Sequence, residues 1–75
     1  MTERSRFLTV RRAWGLTSEQ VAQEAGLTLT EEYRAEIGGT VEPEVAERLL
    51  TAFARLTGRK WTLEETAINQ MQEGS

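Results

Sequence analysis

Apolar residues recur along this chain at helical spacing. Phe7, Val10 and Trp14 fall at i, i+3 and i+7, on one face of a first helix running from about Thr2 to Trp14. Val21, Ala22 and Ala25 form a second stripe, in which the two alanines let another helix approach closely. Val45, Leu49, Ala52, Phe53 and Leu56 make the longest stripe. Leu63, with Ala67 and Ile68, makes a short last one. No stretch alternates over six residues, and there is no Asn-Gly or Asp-Gly turn. The pattern predicts an all-α fold, a compact bundle of about four to five short helices.

Glycines and caps set the boundaries. Gly15, Gly26, the pair Gly38–Gly39 and Gly58 punctuate the chain. Thr17 and Gln20 have capping-box spacing and open a second helix. Gly26 permits a sharp turn, with Leu27 plugging the corner. Thr28 or Thr30 caps a third helix, which carries Glu31 and Glu32 in its first turn and runs to about Ile37. After a short loop, Pro43 opens a fourth helix that ends at Thr57–Gly58. Thr62 and Glu65 repeat the capping-box spacing. Residues 1–68 read as one domain, and residues 69–75, with little to bury, as a frayed tail.

Composition narrows the chemistry. The chain has 75 residues, no cysteine and no histidine. Disulfides and thiolate metal sites are excluded, and so are the commonest general base and the commonest metal ligand. All twelve acids are Glu. Gly38–Gly39 lacks the following Lys-Ser/Thr of a phosphate loop, and no loop has calcium-ligand spacing. No catalytic residue, cofactor or metal is therefore expected. The apolar runs are too short to span a membrane, and no basic-then-apolar leader opens the chain, so a cytoplasmic protein is expected.

The net charge of -3 is unevenly spread. Residues 1–17 carry four Arg against one Glu, residues 18–47 eight Glu against Arg34, and residues 48–75 four cations against three Glu. Such a balance excludes a uniformly basic DNA coater.

The segment Gly15-Leu16-Thr17-Ser18-Glu19-Gln20-Val21-Ala22-Gln23-Glu24-Ala25-Gly26-Leu27-Thr28 resembles the phage repressor/Cro-type (XRE-like) helix-turn-helix family. The usual pattern there is Gly-Leu-Thr-Gln-x-x-Leu-Ala-x-x-Ala-Gly-Leu-Ser. Arg11, four before Gly15, and Glu36, two before Gly38, stand where the family often carries a partly buried ion pair. Pro43 and Leu49–Leu50 match the start of its fourth helix, and the stretch from Leu56 to Glu65 is similar to the tail of minimal members. The likeness covers about Phe7 to Glu65.

That resemblance implies a lambda-repressor-like fold and a sequence-specific DNA-binding transcriptional regulator. The second helix would cross the backbone of double-stranded DNA, and the third would lie in the major groove. Carried over by position, Leu29, Thr30 and Arg34 face bases, and Ser18, Gln20, Thr28 and Thr40 face phosphates. Arg4 and Arg6 would reach phosphate as an N-terminal arm. Binding as a homodimer is expected, with Trp61, Leu63 and Ile68 as its surface.

The chain departs from the family at Glu32, which stands where an apolar core residue is usual. Glu32 must be paired, be exposed, or mark a rotated third helix in which Tyr33 supplies the core contact. Ala35 is also smaller than usual. An alternative function follows from the charge: a protein-interaction module whose acidic face, Glu31, Glu32, Glu36, Glu42 and Glu44, engages a basic partner or a transcription component. Plainer roles stand beside the functional ones. Phe7, Trp14, Phe53 and Trp61 suit packing. Arg34 suits pairing with Glu31 or Glu24, and Arg59 with Lys60 suits the end of the fourth helix.

Overall fold

The computed structural model describes residues 6–71 of the chain. Its elements run α1 (Phe7–Ala13), α2 (Ser18–Ala25), α3 (Leu29–Glu36), β1 (Thr40–Val41), α4 (Pro43–Thr57), α5 (Leu63–Thr66) and β2 (Asn69–Gln70). The fold is an all-α bundle with one very short strand pair. Among the described residues no helix is long and apolar enough to cross a membrane.

Local chemistry explains the boundaries. Three helices open on reciprocal caps. Gln20 N–H donates to Thr17 Oγ1 at 3.1 Å while Thr17 N–H donates to Gln20 Oε1 at 2.8 Å. Thr28 with Glu31 and Thr62 with Glu65 repeat the arrangement at α3 and α5. Pro43 sits at the start of α4, where its missing N–H is not needed. Gly26 (φ 69°) and Gly58 (φ 79°) end α2 and α4 in the left-handed conformation that favours glycine.

The core gathers around α4. Leu49, Ala52 and Phe53 of α4 are buried with Phe7 of α1, Val21 and Ala25 of α2, Ala35 of α3, Val41 of β1, and Ile68. Phe7 meets Phe53 edge-on at 5.2 Å, Trp61 tilts onto Phe53 at 4.8 Å, and Trp14 meets Trp61 edge-on at 5.7 Å. Phe7, Phe53, Trp61 and Trp14 thus form one packed column.

Two expectations change. Arg6 is extended, so α1 begins at Phe7 rather than Thr2; residues 1–5 lie outside the described residues. Asn69 and Gln70 are not frayed. They pair in parallel with β1, Thr40 opposite Asn69 and Val41 opposite Gln70. Met71 N–H donates to Val41 O at 2.7 Å, and Asn69 Nδ2 donates to Gly38 O at 2.8 Å. Burial of Ile68 brings the chain beside β1, whose backbone groups then find partners. The rest of the expected tail, residues 72–75, lies outside the described residues.

Candidate nucleic-acid interface

The turn Gly26-Leu27-Thr28 joins α2 to α3, and Leu27 N–H closes back on Ala22 O at 2.9 Å. It fixes which face of α3 turns inward. Glu32, Ala35 and Glu36 are buried. Leu29, Thr30, Tyr33 and Arg34 are exposed, as is Ile37 just past the helix end.

The inward face is ionic. Arg11 Nε donates to Glu36 Oε2 at 3.0 Å, Arg11 Nη2 donates to Glu36 Oε1 at 3.3 Å, and Nη1 donates to Leu16 O. The fork thereby ties α1 to α3 and to the entry of α2. Burial alone would raise the Glu36 carboxyl. The adjoining Glu32 and Ser18 side chains, with the Arg11 fork and its charge, hold it below its ordinary value.

Glu32 is fully buried, and neither of its oxygens meets a donor. Burial first, then the adjoining Glu36 carboxyl and its charge, push its carboxyl from 4.5 up to about 9, against the pull of Arg11. Burial and the neighbouring Glu36 charge thus favour the protonated form of Glu32. It is neither exposed nor ion-paired as a carboxylate. Nor is α3 rotated, because Tyr33 remains 55% exposed.

The outward face holds the base-facing candidates together. Leu29, Thr30 and Arg34 are all exposed on α3. Thr30 and Arg34 border one groove of about 310 Å³ with Glu31, Val41, Glu42, Val45 and Met71. Gly39 packs against Arg34: its N–H donates to Arg34 O at 2.9 Å, and a Cβ there would lie 2.8 Å from Arg34 Cγ. Arg34 makes no ion pair among the described residues. Glu24, one proposed partner, pairs with Arg55 at 3.6 Å, and the other, Glu31, turns its carboxylate onto Thr28. Tyr33 and Ile37 were not read as surface residues. Their signal was their spacing of four and eight from Leu29.

The phosphate-facing candidates divide. Gln20 is exposed; its Oε1 is committed to the α2 cap, while its amide nitrogen has no partner among the described residues. Thr40 is exposed on β1, and Arg6 is exposed beside α1. Thr28 commits both its N–H and its hydroxyl to Glu31, so a phosphate there would meet a carboxylate instead of a donor. Ser18 is half-buried, and its hydroxyl supports the Glu36 charge. Arg4 lies outside the described residues.

Burial trims two surfaces expected from the sequence. Glu32 and Glu36 are inside the fold, so the acidic face is reduced to Glu31, Glu42 and Glu44, the last paired with Arg48 at 3.1 Å. Of the expected dimer surface, Ile68 is buried, while Trp61 and Leu63 are half-buried against the chain's own core. Trp61 Nε1 also donates to Thr57 Oγ1 at 2.7 Å. Arg59 stacks 3.9 Å from the Trp61 ring centre and pairs with Glu65 at 3.0 Å. Among the described residues no cluster of His, Cys, Asp or Glu is placed to hold a metal ion.

No family model, no curated protein and no solved structure matches this chain.

Proposed function

We propose that the chain is a small sequence-specific DNA-binding regulator that works in the cytoplasm and lays α3 in the major groove of a duplex. One observation carries this reading: the exposed face of α3 presents Arg34, free of any ion pair among the described residues, beside Thr30, while Glu32 and Glu36 are withdrawn into the fold. With those two carboxyls inside, Glu31 is the one acid left on the exposed surface of α3. Arg34 would bond a guanine edge in two places, Thr30 would reach a neighbouring base, and Leu29 would touch a thymine methyl. Gln20, Thr40 and Arg6 would hold the backbone. An eight-residue helix reads few base pairs, so two copies on a two-fold-symmetric site are proposed.

The experiment is selection of a preferred duplex from a random pool, followed by titration of wild type and Arg34→Ala. Loss of about 1–3 kcal/mol of discrimination at a single base pair is expected for the variant. Failure of the wild-type protein to shift any duplex at low salt would remove this function.

A second reading is favoured by a different observation. Leu29, Tyr33 and Ile37 are 49%, 55% and 50% exposed at spacings of four along α3. This apolar ridge suits a protein-interaction module better than a phosphate contact does. Glu31→Lys separates the two: it should tighten duplex binding on the first reading and weaken a basic partner on the second.

A further inference from the structure

Three ionisable side chains are buried among the described residues, and they touch one another: Arg11, Glu32 and Glu36. The elements packed around them add no other buried charge. α2 turns Val21, Ala22 and Ala25 inward and offers the Ser18 hydroxyl; α4 turns Ala46, Leu49, Ala52 and Phe53 inward; β1 contributes Val41, and Ile68 precedes β2. One guanidinium thus faces two carboxyls in a closed apolar surround. Both of its forked bonds go to Glu36, and Nη1 donates to Leu16 O. Glu32 is left with two buried oxygens and no donor.

We infer that the seat of α3 is a proton-binding site: folding loads one proton from water onto the Glu32 carboxyl, which then donates to Glu36, and alkali weakens the hold on α3 by removing it. The charges balance only in this state. With the proton, one guanidinium meets one carboxylate and the acid is satisfied as a donor. Without it, a second negative charge is buried against the first, with nothing to accept from. The inference holds whatever α3 binds.

The direction of the pH effect follows. In the unfolded chain Glu32 ionises near 4.5; in the fold, burial and Glu36 carry it up to about 9. Its contribution is complete below the lower value and is lost as pH rises towards the upper one. Between them the folding constant falls by up to about tenfold per pH unit. Glu36 works in the opposite sense: its lowered value makes stability fall at low pH, as its carboxylate is protonated. The fold should therefore be most stable in mild acid.

Urea unfolding of the wild type and Glu32→Gln at pH 6, 7 and 8 tests this. The amide keeps a donor towards Glu36 and carries no titration. Wild type should lose up to about a hundredfold in folding constant from pH 6 to pH 8, while Glu32→Gln stays nearly level. Parallel profiles for the two proteins would overturn the inference. Should Glu32→Gln not fold, the carboxyl carbon of Glu32 in labelled wild type is followed by NMR. A midpoint near 9 is expected, and a midpoint below 6 overturns the proton site.

Discussion

α3 and α4 lie side by side in sequence but are held by different physics. α4 is fifteen residues long and buries Ala46, Leu49, Ala52 and Phe53, so its hold grows with apolar area removed from water. α3 has eight residues and buries one methyl group, Ala35, between Glu32 and Glu36. Its seat is a forked ion pair and a proton. Apolar contacts tolerate small rotations; the Arg11 fork does not, because both of its bonds must stay in line. The helix proposed to read DNA is thus fixed in orientation yet weakly anchored, and α4 carries the core.

The contrast breaks most sharply at Arg11. Arg11→Met strands Glu36 beside Glu32 and should cost about 3–5 kcal/mol in urea unfolding. Amide exchange would then show α3 losing protection ahead of α4; equal loss in both would contradict the difference in anchoring. Leu49→Ala should cost about 3 kcal/mol through the cavity it leaves, and it should lower both helices together with no change in pH profile. Thr28→Ala removes the α3 cap and should cost about 1 kcal/mol, seen as a shift of the urea midpoint. Arg34→Ala should move stability by less than about 0.5 kcal/mol, because its side chain is exposed and unpaired among the described residues. The effect proposed for it is on duplex binding.

Much of this was legible in the chain. The Thr17–Gln20 and Thr62–Glu65 spacings, Pro43 and Gly58 marked helix ends, because capping is local chemistry. The Arg11–Glu36 pair was visible only through family resemblance, since it joins residues twenty-five apart. Glu32 is legible as out of place, but its buried, unpartnered carboxyl matches none of the accommodations the sequence suggests: paired, exposed, or on a rotated helix. Its surroundings depend on Glu36 and Arg11 converging, which periodicity does not show. The β1–β2 pair left no signal, because two-residue strands carry no alternation. The count of Glu along residues 18–47 exceeds the acidic surface, because α3 turns Glu32 and Glu36 inward.

The most direct test of the proposed DNA reading by α3 is the salt dependence of wild-type binding to duplex DNA. The account predicts measurable binding at low salt and a straight fall of log affinity with log salt, with a slope of about -0.9 for each phosphate engaged. Absence of binding at low salt, or an affinity indifferent to salt, would contradict it.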